Sequence, residues 1–387
     1  GGTADTQRDF WLTYGSTQGH AHPQKLNLGI DAFGLNLAPD LGYPSTTLGT
    51  NDITYWERST IIHNTVQVNN GLQTRSYNNE KPLHFGDDGR VKVMDVNAPA
   101  AYSAASIYRR TVVMVDAGDD LSYGIDFFRV KGGNDHVYSF HALSNQISET
   151  TGLDLVAQSG GTYAGTNVPY GPGDLTSGYD GFINVSRAAN PTGKFAVDFA
   201  INDFRGHATT SGNLHLRMTM LNDFNANEVA LADGAPPNMY ANPSWLKFAL
   251  VRRTGTNLDT LFTTVFEPYC NNRSIANEEA VSMTRIGGAE PGATDVARAV
   301  KVTLANGRVD YVVMATNKNV KYNVGGIFDF MGSIGVYTVE DGVNTYSYVN
   351  DGSLIGAHST LAAYTGQIVD FTKTLAFENF IEVKLDQ

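Results

Sequence analysis

The stretch Tyr108–Val130, YRRTVVMVDAGDDLSYGIDFFRV, decides the fold. It contains two runs, Tyr108–Asp116 and Leu121–Val130, each short, rich in Val, Thr, Tyr and Phe, and bounded by Gly or Asp, which is the pattern of β-strands. Outward from it, the same character recurs at Lys194–Ile201, Leu214–Leu221, Leu246–Arg252, Leu261–Glu267, Ala299–Leu304 and Val309–Ala315. No stretch keeps a 3.6-residue apolar period over three turns. The 40 glycines among 387 residues supply the positive-φ turns that antiparallel sheets need. The reading is an all-β chain of large antiparallel sheets stacked as a β-sandwich (a supersandwich), with under about a tenth of its residues helical where ~30–35% is usual. No repeat of solenoid or propeller length is visible. Polar, Gly-rich joins at Asn145–Asp180 and Thr284–Ala297 are the best loop or boundary candidates, which divides the chain into a large β-sandwich domain, 1–290, and a smaller C-terminal β domain, 291–387.

Composition removes several classes of function. With 27 Lys and Arg against 39 Asp and Glu the net charge is −12, which argues against a basic nucleic-acid binder. A chain that is 42% hydrophobic and 17% charged can bury a large core and is not disordered. No run approaches the roughly 18 uncharged apolar residues of a membrane span. The single cysteine, Cys270, cannot form an internal disulfide and, beside Pro268 and Tyr269, reads as an inert core thiol. Gly1-Gly2-Thr3 is neither an initiator methionine nor a signal sequence, so the numbering is read as starting inside a longer product or after processing. The sequons at Asn184 and Asn272 are common by chance and carry no weight.

Three of the nine histidines sit in the first 63 residues: His20 and His22 in Gly-His-Ala-His, and His63 in Ile-Ile-His-Asn-Thr-Val, with Asp40 between them in Ala-Pro-Asp-Leu-Gly-Tyr. On a strand, His20 and His22 share a face roughly 6–7 Å apart, so one can bind metal while the other meets substrate. Two imidazoles and a carboxylate are a plausible zinc set, although the gaps between them match no compact metal motif.

The ordered segments GHAHPQKLNLGIDAFGLNLAPDLGYP (19–44) and IIHNTVQVNNG (61–71) resemble the heparinase II/III-like polysaccharide lyases. In that family a Gly-His-x-His segment, an Asp-x-Gly-x-Tyr-like turn and a His-Asn-Thr-Val strand recur in this order. Looser matches are RRTVVMVD (109–116), YGIDFFRVKGGNDHVYSFHA (123–142) and LVRRTGTNLDTLFTTVFEPY (250–269), so the resemblance covers roughly residues 8 to 270. Pro23 departs from the pattern, since many members carry an acidic residue there.

The resemblance implies an N-terminal α/α toroid followed by the antiparallel β region, with this chain supplying only the β part. It implies a bacterial secreted or periplasmic protein that cleaves a uronic-acid-containing polysaccharide or oligosaccharide by β-elimination. By the same mapping His20 is the cleft histidine, Tyr43 a cleft tyrosine, and His22, Asp40 and His63 the ligands of a structural divalent metal, most simply zinc. The 250–269 strand looks more like alginate-acting relatives, so alginate is the expected substrate, with heparin or heparan, hyaluronan or chondroitin as the alternative. A non-catalytic carbohydrate-binding β domain is a second reading, separated from the first by whether a helical partner domain exists. A glycoside hydrolase would need two flanking carboxylates, and Asp31, Asp40, Asp52 and Glu57 form no recognisable pair.

The chemistry explains the residue types. Elimination requires removal of the C5 proton, stabilisation of the enolate-like charge at the uronate carboxylate, and protonation of the leaving oxygen. An imidazole with an ordinary pKa near 6.5 can serve as donor or base. Tyr55 and Trp56 are candidates for sugar stacking, with core packing the competing reading. Of the pairs Arg109/Arg110 and Arg252/Arg253, Arg110 and Arg253 are expected to bind uronate, since alternation turns one of each pair away from the cleft. His136 and His141 read as satisfied core histidines.

Overall fold

The computed structural model describes residues 7–15, 22–41, 56, 58–74, 80–118, 121–171, 176–236, 245–359, 366–371 and 381–385. Among the described residues the elements are strands, with two single-turn 3-10 segments, Thr60–Ile62 and Tyr179–Gly181, and the single helical residue Trp56.

The first unit comprises Gly1–Ala280 with Val300–Val309. Its early strands are β1 (Arg8–Leu12), β2 (Leu28–Ala32), β3 (Leu35–Asn36), β4 (Val66–Val68), β5 (Lys81–Asp87), β6 (Val91–Asn97), β7 (Ile107–Gly118), β8 (Leu121–Lys131) and β9 (Asp135–His141). Then come β10 (Gln146–Thr151), β11 (Val156–Ala157), β12 (Phe182–Ala189), β13 (Phe195–Ala200), β14 (Leu214–Met220), β15 (Glu228–Gly234), β16 (Leu246–Thr254) and β17 (Asp259–Cys270). They form an eight-stranded sheet, β10-β13-β14-β17-β8-β7-β6-β5, a six-stranded sheet, β11-β12-β15-β16-β9-β4, and a small sheet, β1-β2-β3. Every pairing in these sheets for which a register is resolved is antiparallel, and β7 and β8 form the hairpin that the opening stretch encodes.

One core fills the space between the two large sheets. Val112, Phe128, Phe199, Met218, Phe262 and Phe266 from the eight-stranded sheet meet Tyr138, Phe140, Val229, Leu231, Ala249 and Val251 from the six-stranded one. Fully burying each such side chain contributes about 1.5–3 kcal/mol. The small sheet packs on this core through Phe10, Leu28 and Ile30. Gly124 permits that approach, since a Cβ there would lie 2.3 Å from the Phe10 ring. The outer face of the six-stranded sheet carries a second cluster: Leu41, Trp56, Ile61, Ile62, Val137, Phe182, Leu246 and Phe248 among its members.

The expected long loop Asn145–Asp180 contains the polar strand β10, which runs along the edge of the eight-stranded sheet. Its sequence, QISETT, has too few apolar residues to announce a strand because only one side of it is paired.

The second unit comprises Val281–Ala299 and Asp310–Gln387. The remaining strands are β18 (Ile275–Val281), β19 (Met283–Gly288), β20 (Ala297–Leu304), β21 (Val309–Ala315), β22 (Val320–Val324), β23 (Phe328–Glu340), β24 (Val343–Ile355), β25 (His358–Ser359), β26 (Gly366–Phe371) and β27 (Ile381–Leu385). Within this unit β19 pairs with β22, β22 with β23, and β23 with β24. Phe328 stacks on Tyr337 at 4.2 Å in its core. The first part of the expected Gly-rich join, from Thr284 to Gly288, lies in strand β19, which pairs with β22.

At the centre of the β7–β8 hairpin lies a fully buried ion pair. Arg110 Nε donates to Asp126 Oδ1 at 2.9 Å and its NH2 group to Asp126 Oδ2 at 2.7 Å. Removing one partner of such a pair leaves an uncompensated buried charge, whereas replacing both by apolar groups is often tolerated. Asp126→Ala should therefore destabilise the first unit by about 3–5 kcal/mol, and the double variant Arg110→Met/Asp126→Leu by clearly less, as read from urea unfolding midpoints.

Candidate functional site

His22, Asp40 and His63 come from three separated segments that fold onto one place. His22 begins the turn that leads into β2, and its carbonyl accepts from the Gln24 N–H. That turn is held by Thr60, whose hydroxyl donates to the Pro23 carbonyl at 3.0 Å, and by Gln73, whose side chain binds both the N–H and the carbonyl of Lys25. Lys25 also forms a buried ion pair with Glu80. His63 closes the 3-10 turn Thr60–Ile62, its N–H donating to the Thr60 carbonyl. Asp40 follows the run Leu35–Pro39, which is tied to the sheet by the Leu143 N–H donating to the Leu37 carbonyl at 2.8 Å.

The resulting geometry places the His22 and His63 rings 5.6 Å apart, both buried. The Asp40 carboxylate, 24% exposed, lies 3.9 Å from His63 Nδ1. Donors that share a zinc ion sit about 2.0–2.1 Å from it and hence roughly 3.3 Å from one another. Among the described residues no three His, Cys, Asp or Glu side chains are already drawn into that arrangement. Two imidazoles and a carboxylate are donor types that zinc accepts, and the segments that carry them are neighbours.

The cluster is anchored from behind by polar groups that the sequence reading did not single out. Asn64 accepts the His141 N–H on Oδ1 at 2.8 Å and donates from Nδ2 to the Leu28 carbonyl at 3.1 Å. Its own N–H donates to Asn27 Oδ1. Arg110 donates from NH1 to the Leu26 and Asn64 carbonyls, at 2.6 and 2.5 Å, and from NH2 to the Tyr138 hydroxyl, which itself donates to Asp126. All five guanidinium N–H groups are thereby used. A His-Asn-Thr triplet flanked by Ile61, Ile62 and Val66 was the available signal for this role.

This arrangement corrects the expectation for Arg110. It is fully buried and its donors are spent on the fold, so it is not a surface ligand for uronate. Arg253 donates to the Asp259 carbonyl and the Thr260 hydroxyl. It sits opposite His136, whereas His141 marks the other end of β9, five residues or about 17 Å away, so the structure does not bring Arg253 to the histidine cluster. Arg109 and Arg252 are likewise engaged, in bidentate pairs with Asp95 and Asp135. Trp56 is a core residue, 1% exposed, with its indole N–H donating to the Ala235 carbonyl. His20, Tyr43 and Tyr55 lie outside the described residues, as do Asp52 and Glu57.

Of the two strand histidines, His136 is the satisfied core residue expected: Nδ1 pairs with the Thr260 hydroxyl, Nε2–H donates to the Gly132 carbonyl, and burial pushes its pKa down. His141 is equally buried, and burial lowers its pKa to about 4 against the opposing pull of the Pro39 hydrogen bond and the Asp40 charge. Unlike His136, it lies beside the cluster. Cys270 is half-buried at the end of β17 rather than fully internal.

A family model for the C-terminal part of heparinase II/III-like proteins matches residues 12–211, a little over half of the chain and the whole of the histidine cluster. No curated protein matches the sequence. Among solved structures, a mutant heparan sulfate lyase HepC from Pedobacter heparinus matches 79% of this chain and 39% of its own, with 13% identity and a TM-score of 0.43. A heparinase III matches 79% of this chain and 38% of its own, with 12% identity and a TM-score of 0.49. This chain thus spans under two-fifths of the length of these proteins.

The hydrogen bonds of the Asn64 side chain can be tested by removing it. Asn64→Ala strips the buried His141 N–H of its acceptor and the Leu28 carbonyl of a donor, which should lower stability by about 2–3 kcal/mol in urea unfolding.

Proposed function

This chain belongs to the heparinase II/III-like family, and on that premise we propose that it is the β portion of an enzyme that cleaves uronate-containing polysaccharides by β-elimination. The observation that supports the reading is that, inside the matched region, His22 and His63 lie with their rings 5.6 Å apart and the Asp40 carboxylate 3.9 Å from His63 Nδ1, although the three come from separated segments.

In this reading His20 donates a hydrogen bond to the uronate carboxylate or takes the C5 proton, and Tyr43 serves as acid or base at the leaving oxygen. His22, Asp40 and His63 would hold a divalent metal, zinc by the chemistry of the donors. When bound, the ion would brace the segment that carries His20, since elimination consumes no water that it would need to activate. Holding His22 as a ligand would fix the backbone that leads to His20. Tyr55 is the remaining candidate for contact with sugar.

The substrate is an acidic polysaccharide or oligosaccharide, and an N-terminal α/α toroid of the same protein is the proposed partner that completes the cleft. The alginate preference has no support from the solved structures named above, which are heparan sulfate lyases and heparinases. A glycosaminoglycan of the heparan type is therefore the first substrate to test. A secreted or periplasmic location suits a polymer of that size.

The experiment incubates the full-length protein with heparan sulfate, heparin, hyaluronan, chondroitin sulfate and alginate and follows the ultraviolet absorbance of unsaturated uronate ends. The expected outcome is product from at least one glycosaminoglycan, abolished by His20→Ala. Absence of unsaturated product from every polymer, with binding retained, would favour a non-catalytic carbohydrate-binding domain instead.

A further inference from the structure

We infer that His141 is a positioning residue for Asp40: its Nε2–H, donated to the Pro39 carbonyl at 2.8 Å, fixes the turn that presents the Asp40 carboxylate beside His63. The inference deepens the metal reading of the cluster and rests on it.

A carbonyl can only accept, so this hydrogen bond puts the His141 proton on Nε2. Proline has no N–H, so its carbonyl is the only hydrogen-bonding group Pro39 offers, and His141 takes it. The anchor is rigid. His141 ends β9, which is paired on one side with β4 and on the other with β16. Its backbone N–H is held by Asn64 Oδ1, and its ring packs on Phe248 with centroids 4.7 Å apart. Asn64 follows His63 directly, so one strand end sets the position of two candidate ligands: His63 through Asn64, and Asp40 through Pro39. On either side of Asp40 the chain is held as well, at Leu37 by the Leu143 N–H and at Leu41 by burial in the outer apolar cluster. The Pro39 carbonyl ties the residue next to Asp40 to the sheet through the His141 side chain.

A neutral imidazole suits this job, because a buried cation next to a metal ion would repel it. The outer partner of a metal ligand typically changes affinity by about 10–100-fold when removed. A glutamine can present an amide N–H at a position close to Nε2, an asparagine is one carbon too short, and a phenylalanine keeps the ring without the donor.

The test strips the protein with a chelator and measures its zinc affinity by competition with a chromophoric chelator, for wild type, His141→Gln and His141→Phe, with folding confirmed by circular dichroism. The expected result is zinc binding about 10–100-fold weaker in His141→Phe and within a few-fold of wild type in His141→Gln. A folded His141→Phe protein with wild-type affinity overturns the inference, as does a glutamine variant that falls as far as the phenylalanine one. If His141→Phe does not fold, His141→Asn takes its place with the same expectation. A wild-type protein that takes up no zinc would instead contradict the metal reading itself.

Discussion

The Arg110–Asp126 pair is the constraint on which the site depends. It lies at 0% exposure on both sides, where a charge is tolerable only if it is neutralised and fully hydrogen-bonded. Burial alone pulls the guanidinium pKa down, and Asp126 with Tyr138 reverses that and raises it. The carboxylate needs only Nε and half of NH2, so the other donors are free to reach out of the hairpin, and they do so to the Leu26 and Asn64 carbonyls and to Tyr138. The pair thereby ties the eight-stranded sheet to two loops that have no ladder of their own at those points. Buried pairs of this kind often add little net stability over apolar groups of the same shape, and what this one does provide is a fixed position for those loops.

From that tie the geometry of the histidine cluster follows. Leu26 lies between His22 and β2, and Asn64 lies between His63 and β4, so holding both carbonyls with one guanidinium sets the distance between the two loops. A second polar layer around Tyr108 repeats the device: its hydroxyl contacts Val66, Gln73 and Thr65, and Thr65 and Gln73 both reach the Lys25 carbonyl. Burial pushes the Tyr108 pKa up to about 12, so the phenol keeps its proton throughout the ordinary pH range. Side chains carried on segments held in this way keep a defined position.

The sheets were legible because each central strand pairs on both edges and buries at least one face, which demands the β-branched and aromatic residues that mark Tyr108–Val130. Edge and outer strands were less so. Lys81–Asp87 and Gln146–Thr151 each pair on one side and expose much of their length, so neither needed an apolar pattern. The ordered histidine motifs pointed to His22, Asp40 and His63 as a group; in the structure the two imidazole rings lie 5.6 Å apart and the Asp40 carboxylate 3.9 Å from His63 Nδ1. The arginine pairs misled for a physical reason: a sequence shows a cation but not its partner. Asp126 sits 16 residues from Arg110, yet in the hairpin it is a diagonal neighbour across β7 and β8. His141 was read as core, and it is buried, but its neighbour Pro39 is 102 residues away, a pairing that no local pattern reveals.

The most direct measurement of this account is amide hydrogen exchange on the Arg110→Met/Asp126→Leu protein compared with wild type. If the ion pair acts by placing the loops, segments 22–28 and 60–68 should exchange about tenfold faster or more, equivalent to ~1.4 kcal/mol of local opening, while β13 and β14 stay as protected as before. Unchanged exchange in those two segments, or an equal loss of protection across the whole eight-stranded sheet, would contradict it.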